Sequence, residues 1–274
     1  MKRVTSRHNP LVAGYRAIAK GDVRDLMLLD GAHLVGEALA AGIRLRQVAV
    51  AAEAPADVTA LASRLRQAGI EIVAASASVM DVLSPVRSSS AIVAIAERPA
   101  AVAALDAADR TGRALLVVAS GVQDPGNLGA VVRVAEAGGA AAVIAAGGSA
   151  DPFGWKALRG SMGSALRVPI ISGIDTAAAL ADVRRRGYHI VATVPRGGRS
   201  IFEADLRRAT AVVIGGEGAG LDQAIVAAAD ERVTIPMEAP VESLNAAVTA
   251  ALIVYEALRQ RTGVTSQQPA VSNQ

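Results

Sequence analysis

Three loops of this 274-residue chain carry polar residues where an apolar strand gives way to a helix. The first loop, residues 120–133, runs through Asp-Pro-Gly-Asn into a helix that contains Arg133, and Asn127 is expected near the N-cap of that helix. A helix N-terminus presents free backbone N–H groups, which together with an arginine can bind an anion such as phosphate. A plain helix cap followed by a surface arginine would give the same pattern, so this loop alone does not identify a site.

The second loop, residues 214–221, places Glu217 among four glycines. Glycines allow the backbone to approach a ligand closely, but a tight turn with positive φ also requires them. The spacing differs from the dinucleotide fingerprint G-x-G-x-x-G, which also needs an acidic residue about 20 positions further on. A nicotinamide-dependent oxidoreductase is therefore disfavoured.

The third loop combines Ile-Pro-Met at residues 235–237 with Ser243 and Asn245 at the start of an apolar helix. Helix capping explains one of these two polar residues but not both. The three loops together therefore suggest a site more strongly than any one of them.

The elements that position these loops are predicted from continuous apolar runs, which are typical of strands buried on both faces of a parallel sheet. The predicted strands are residues 114–119, 141–146, 167–171, 189–194, 210–215 and 232–236, and the main helices are 127–137, 176–186 and 242–259. Ligands bind at the carboxyl ends of the strands in such sheets, where the three loops lie.

A smaller α/β unit is predicted to precede this sheet. Its strands are expected at residues 25–30, 47–51, 71–74 and 91–96, and its helices at 32–41, 58–68 and 78–83. The predicted domains are residues 1–97 and 113–262, with a linker at 98–112 and a disordered tail at 263–274.

The composition excludes several kinds of chemistry. Without cysteine the chain has no disulfides, no thiol catalysis and no cysteine-ligated metal, and its three histidines lie far apart in sequence. We expect no metal site. No apolar segment follows the polar N-terminus, so neither a signal peptide nor a membrane span is expected, and the predicted location is cytoplasmic.

Positive charge is concentrated near the N-terminus, where residues 1–24 carry six cationic side chains against one acidic side chain. A second basic group comprises Arg184, Arg185, Arg186, Arg196, Arg199, Arg207 and Arg208. Arginine forms bidentate contacts with phosphate, so nucleic acid is a candidate partner, although arginine clusters are often only solvated surface.

Taken together and in this order, the three loops resemble the motifs of the SpoU/TrmH family of RNA ribose 2′-O-methyltransferases, in the SPOUT superfamily. The matching stretches are DPGNLGAVVRVAEAGGA, VIGGEGAGL and IPMEAPVESLNAAVTAAL, and residues 156–164 resemble the segment between the first two motifs. The opening residues 5–12 and 28–35 resemble the family's N-terminal substrate-binding domain, although Asp30 stands where the family more often has glutamate.

The resemblance implies an α/β fold with a mainly parallel sheet and a C-terminal trefoil knot, preceded by a small domain similar to ribosomal protein L30e. It also implies S-adenosylmethionine as methyl donor, a homodimer with shared active sites, and an RNA substrate. The residues that match the donor-binding positions are Thr193, Gly215, Gly216, Ile235, Met237 and Leu244. The residues that match the catalytic and substrate-orienting positions are Asn127, Arg133, Glu217, Ser243 and Asn245.

The resemblance gives Arg133 the role of activating the ribose 2′-hydroxyl. A guanidinium is a poor base, because its pKa lies above about 12. We therefore expect Arg133 to hold the adjacent phosphate and fix the hydroxyl, so that positioning and electrostatics supply much of the rate. Arg3, Arg7, Arg16 and Lys20 are the candidate RNA-binding cations.

Alternatives remain for the substrate and for activity. Ribosomal RNA is preferred by family analogy, and transfer RNA is the main alternative. A catalytically inactive RNA-binding protein of the same fold is a further possibility, which the intact motif residues disfavour. A base methyltransferase of the same superfamily would differ in the third motif, where this chain has Ser-Leu-Asn.

Overall fold

The computed structural model describes residues 2–100, 114–218 and 220–263, which form two compact units. The first unit contains residues 2–100, Asp124–Arg133 and Ala150–Pro169, and the second contains the remaining described residues. The predicted linker lies almost wholly outside the described residues, as does the predicted tail beyond Gly263. The domain boundaries set from the sequence therefore stay predictions.

The first unit is built on a five-stranded sheet with strand order β1-β4-β3-β5-β2. Strands β1, β4 and β3 are parallel, and β5 runs antiparallel to both β3 and β2. In chain order the elements are β1 (Lys2–Val4), α1 (Pro10–Lys20), β2 (Leu26–Asp30), α2 (Ala32–Ala40), β3 (Leu45–Ala51), α3 (Ala56–Gln67), β4 (Ile72–Ala75), α4 (Ala77–Leu83) and β5 (Ile92–Glu97).

Neither β1 nor α1 was predicted from the sequence. The Asn9 side chain accepts a hydrogen bond from the Leu11 backbone N–H at 3.0 Å, Pro10 occupies the first helical turn, and Gly21 ends the helix with a φ of 84°. These are ordinary signals for the start and end of a helix. Buried Val12, Tyr15 and Ile18 pack α1 into the core of this unit.

The second unit contains seven strands in the order β10-β12-β9-β11-β6-β7-β8, and every adjacent pair is parallel. The strands are β6 (Leu115–Ser120), β7 (Ala142–Ala146), β8 (Ile170–Ile174), β9 (His189–Thr193), β10 (Arg199–Ser200), β11 (Thr210–Gly215) and β12 (Glu231–Thr234). This confirms the α/β class and the mainly parallel sheet. The central strands β6, β7 and β11 are buried almost throughout, as their apolar runs require.

The remaining helices follow strands of this sheet or lie between them. They are α5 (Pro125–Ala137), α6 (Trp155–Ser161), α7 (Thr176–Arg185), α8 (Gln223–Ala228) and α9 (Ala246–Thr262), together with a short 3₁₀ turn at Ser164–Leu166. By their contacts, α6, the 3₁₀ turn and the first part of α5 belong to the first unit.

Several element boundaries differ from the expected ones by one to four residues, and three of these differences have a local reason. Strand β8 begins at Ile170 rather than at residue 167, directly after Pro169, which has no N–H for a ladder. Strand β12 ends at Thr234, before Pro236. Helix α9 begins at Ala246 rather than at residue 242, because the Asn245 side chain caps it.

Candidate active site

A cavity of about 430 Å³ lies in the second unit, at the carboxyl ends of β9, β11 and β12. Its volume is within the range of about 300–1,000 Å³ that is usual for small-molecule sites. Thr193 and Gly215 end two of these strands, and Ile235 follows the third. The sheet therefore places the second and third loops around one space.

The backbone of the glycine-rich loop packs closely against residues 120–121 and against residues 220–221. The Gly216 N–H donates to the Ser120 carbonyl at 2.9 Å, and Gly216 forms an isolated bridge with Gly220. A Cβ at residue 216 would overlap the carbonyl oxygen of Gly121, and one at residue 215 would lie 2.7 Å from the Leu221 nitrogen. Close backbone approach therefore requires glycine at both positions, and it joins the first loop to the second.

Asn245 connects the third loop to the second. Its Oδ1 accepts hydrogen bonds from the backbone N–H groups of Ala247 at 2.9 Å and Val248 at 3.3 Å, which caps α9. Its Nδ2 donates to Oε1 of Glu217 at 2.8 Å. One amide group therefore both starts the last helix and holds the Glu217 carboxylate at the cavity.

All six predicted donor-binding residues line this cavity, and so do three of the predicted catalytic and substrate-orienting residues. The first group is Thr193, Gly215, Gly216, Ile235, Met237 and Leu244; the second is Glu217, Ser243 and Asn245. Their juxtaposition is a structural finding, and their individual roles stay predictions.

The lining suits S-adenosylmethionine, the cofactor that the resemblance implies. Apolar side chains of Ile214, Val226, Ile235 and Leu244 can cover the faces of an adenine, while the glycine backbone offers N–H and C=O groups to its edges. The Thr193 hydroxyl donates within the sheet, to the Val213 carbonyl at 3.0 Å. Exposed Glu217, Ser243 and Asn245 supply a polar rim.

Sequence reasoning missed several lining residues, including Val194, Pro195 and Thr249. Thr249 lies four positions after Asn245, so the helical repeat could have placed it on the same face. Val194 and Pro195 carry no comparable signal, because apolar residues after a strand are common.

Asn127 and Arg133 lie on α5 and belong to the first unit. Asn127 is the third residue of that helix rather than its cap, because the Asp124 Oδ1 accepts the hydrogen bond of the Asn127 N–H at 2.8 Å. Asn127 therefore lies near the N-cap, as expected, but Asp124 is the cap and the helix begins at Pro125 rather than at residue 127. Arg133 is exposed, and among the residues that the structure describes it has no hydrogen-bond or ion-pair partner.

The two basic groups differ in their pairing. Arg3, Arg16 and Lys20 are exposed and have no such partner within residues 2–100, 114–218 and 220–263. Arg7 donates from Nε to the Ser78 carbonyl at 2.9 Å and lies 4.0 Å from a carboxylate oxygen of Asp81.

The second basic group, by contrast, is largely matched with acidic side chains. Arg184 pairs with Asp230, Arg185 and Arg186 with Asp182, Arg196 with Glu242, Arg199 with Glu231, and Arg207 with Asp205. Most of this group therefore fits the interpretation as ion-paired surface.

The described part of the chain holds neither a metal-binding cluster nor a membrane-spanning helix. It contains no group of three or more histidine, aspartate or glutamate side chains arranged to hold a metal ion. None of its helices has the length and apolar character needed to cross a bilayer.

Several known proteins are similar to this chain in both sequence and fold. The model of the SpoU rRNA methylase family matches residues 114–255. The 23S rRNA (guanosine(2553)-2′-O)-methyltransferase RlmP of Bacillus subtilis (strain 168) is 30% identical over 258 residues, which are 93% of this chain and 98% of the relative.

Two solved structures superpose over nearly the whole chain. The SpoU methyltransferase AviRb from Streptomyces viridochromogenes, in complex with AdoMet, has a TM-score of 0.84 and 29% identity, covering 93% of this chain and 99% of that one. An AdoMet-bound rRNA methyltransferase from Sinorhizobium meliloti has a TM-score of 0.83 and 27% identity, covering 97% and 99%. The chain therefore belongs to the SpoU rRNA methylase family.

Proposed function

We propose that this protein methylates the 2′-hydroxyl of a ribose in ribosomal RNA. It is an RNA methyltransferase that uses S-adenosylmethionine, in keeping with its family and with two AdoMet-bound structural neighbours. Ribosomal RNA is preferred over transfer RNA because the similar RlmP carries 23S rRNA in its name. The observation that carries the proposal is the cavity itself, where the second and third loops meet through the Glu217–Asn245 hydrogen bond.

The residues around the cavity divide into two chemical groups. When bound, S-adenosylmethionine supplies a methyl group on a positively charged sulfur. The backbone at Gly215 and Gly216 and the side chains of Ile235 and Leu244 bind and orient the donor. Glu217, Ser243 and Asn245 form the polar rim that orients the ribose.

Arg133 is the residue proposed to fix the phosphate next to the reacting ribose. Its guanidinium is exposed and has no partner among the described residues, so it can form a bidentate contact with an incoming phosphate. Asn127, on the same helix, is proposed to orient the substrate.

We also propose a homodimer in which a second copy covers part of α9. Val248, Leu252 and Tyr255 are 46%, 41% and 50% exposed at helical spacing, which gives α9 an apolar stripe at the surface. A trefoil knot in the second unit and an L30e-like RNA-binding fold in the first complete the proposed architecture. A cytoplasmic location remains a prediction.

Methyl incorporation from labelled S-adenosylmethionine into unmodified 23S rRNA and into unmodified tRNA transcripts tests the proposal. We expect label in 23S rRNA only, and a loss of at least ~100-fold in rate for Arg133→Ala, since positioning contributes strongly to such reactions. Label in tRNA alone would favour the transfer RNA alternative. Donor binding without any transfer, in a protein that still binds rRNA, would favour the inactive RNA-binding alternative.

A further inference from the structure

Phe202 is the most exposed large apolar side chain among the described residues, at 64% of its surface. The chain has only two phenylalanines, and the other, Phe153, is buried. Phe202 also lies apart from the apolar stripe of α9 in sequence, on the turn that follows β10. Phe202 therefore places an exposed aromatic ring among arginines that are largely ion-paired.

The turn that carries Phe202 is fixed by buried side chains and by hydrogen bonds to α9. Ile201, Ala204 and Leu206 are each no more than 3% exposed. Gln260 of α9 accepts a hydrogen bond from the Leu206 N–H at 2.8 Å and donates to the Ala204 carbonyl at 2.9 Å. The ring is therefore presented on a fixed backbone, which lowers the entropy lost when it binds a partner.

This turn lies at the carboxyl ends of the strands, on the same side of the sheet as the cavity. Strand β10 runs parallel to β12 with Ser200 opposite Thr234, and the Ile201 N–H donates to the Thr234 carbonyl at 3.0 Å. The next residue of that chain segment, Ile235, lines the cavity, and so do Val194 and Pro195 before β10. Phe202 therefore follows β10 at the level where the segment after β12 enters the lining of the cavity.

The charges around the turn are compatible with RNA. Residues 194–208 contain four arginines and two acidic residues, Glu203 and Asp205. Asp205 is ion-paired with Arg207 at 2.8 Å. Arg196, 76% exposed, lies 3.8 Å from the exposed Glu242, a surface pair that an incoming phosphate can replace at little cost.

We propose that Phe202 stacks on a base of the RNA substrate beside the ribose that reacts. This inference rests on the proposed function. Bases splayed out of single-stranded loops stack on aromatic side chains, and such stacking tolerates any base. Phe202 therefore holds the nucleotide in place without reading its identity, and specificity comes from other contacts.

Substitutions at residue 202 test the stacking. Phe202→Ala is expected to weaken binding to an unmodified 23S rRNA transcript by about 5- to 140-fold, because stacking on one base is worth about 1–3 kcal/mol and about 1.4 kcal/mol is tenfold. The KM for S-adenosylmethionine and the salt dependence of RNA binding should stay unchanged. Phe202→Leu, which keeps an apolar side chain without a ring, should lose at least about fivefold.

Two further variants serve as controls. Phe202→Trp should keep RNA affinity, and its added fluorescence should be quenched by RNA to a degree that Trp155 of the unaltered protein does not show. Glu203→Gln, on the same turn, should leave affinity equal or higher, because it removes a negative charge.

Three results would overturn the inference. The first is unchanged RNA affinity in Phe202→Ala while the unaltered protein methylates rRNA, which leaves the proposed function intact. The second is dissociation of Phe202→Ala to monomers in sedimentation with its RNA affinity retained, which would make Phe202 a subunit contact. The third is an unaltered protein that neither binds nor methylates rRNA, which would remove the proposed function as well.

Discussion

Asn245 shows how one side chain serves both the fold and the candidate site. Its oxygen caps α9 and its nitrogen holds the Glu217 carboxylate, so the helix start and the glycine-rich loop are set by the same amide. The sequence suggested that capping would explain only one of Ser243 and Asn245. That prediction is confirmed, since Asn245 is the cap and Ser243 lies in the loop that lines the cavity.

Asn245→Ser separates these two tasks. The serine oxygen can still cap α9, so the free energy of unfolding should change by only a few tenths of a kcal/mol, whereas Asn245→Ala should lose about 1 kcal/mol. Both variants lose the bond to Glu217, so both should bind S-adenosylmethionine or RNA several-fold more weakly. Chemical denaturation and calorimetry measure the two effects. Equal destabilisation of both variants with unchanged binding would contradict the two roles.

Among the helices and strands, the sequence predicted those that are marked by hydrophobic periodicity or by a continuous apolar run. Strand β11 occupies residues 210–215 as predicted, because a continuous apolar run of this length is typical of a central parallel strand. Helix α1 was missed although Asn9 and Pro10 mark its start, because glycine and charged residues interrupt its apolar positions. The path of residues 235–245 around the cavity follows from tertiary contacts, which no local pattern encodes.

Gly129 in α5 tests the close packing of two helices within the first unit. A Cβ there would overlap the Ala157 carbonyl oxygen and lie 2.9 Å from the Ser161 nitrogen, both on α6. Gly129→Ala should therefore destabilise the protein by about 1–3 kcal/mol, as overpacking does.

Gly14→Ala is the matched control for that substitution. Gly14 lies inside α1, and beyond the backbone of its own helix no atom lies within 4 Å of the position that an alanine Cβ would take. Alanine there should stabilise the protein by about 0.5–1 kcal/mol. Thermal unfolding of both variants measures the contrast. A loss of stability in Gly14→Ala, or none in Gly129→Ala, would show that the backbone approach is looser than described.

Glu256 gives α9 a pH-dependent contribution to stability. This carboxylate is 7% exposed and accepts hydrogen bonds from Arg259 at 2.7 and 2.9 Å and from Gln260 at 2.8 Å. The Arg259 hydrogen bonds, against the opposing effect of burial, lower the pKa of Glu256 below its usual value of 4.5. The same Gln260 holds the turn that carries Phe202.

The sign of the pH effect follows from that lowered pKa. The stabilisation is fully present above about pH 4.5 and is lost as the pH falls through the folded-state pKa. Glu256→Gln removes the ionisable group, so the difference in unfolding free energy between the unaltered protein and this variant should shrink between about pH 6 and about pH 3. A difference that stays constant over this range would contradict the ion-paired state of Glu256.

At the scale of the whole molecule, the sequence located positive charge but could not tell free from paired cations. Most arginines of the second basic group face carboxylates, whereas Arg3, Arg16 and Lys20 have no partner among the described residues. Only side-chain geometry distinguishes these cases. RNA affinity should therefore depend on Arg3, Arg16 and Lys20 much more than on closely paired arginines such as Arg185.

Salt dependence of RNA binding measures this difference. Each alanine substitution at Arg3, Arg16 or Lys20 that removes a phosphate contact should reduce the slope of log affinity against log salt by about 0.7–0.9. Arg185→Ala is the control, because Arg185 is also exposed, at 74%, but pairs with Asp182 at 2.7 Å. A larger slope change for the control than for the N-terminal variants would relocate the RNA-binding surface.

The proposed function requires that the methyl group is transferred to a ribose oxygen. Unmodified 23S rRNA treated with the protein and S-adenosylmethionine would be digested to nucleosides, and the methylated product identified by mass spectrometry. We predict one 2′-O-methylated nucleoside, with the added mass on the sugar fragment, absent from the Arg133→Ala reaction. A methyl group on the base fragment would show that the protein is a base methyltransferase.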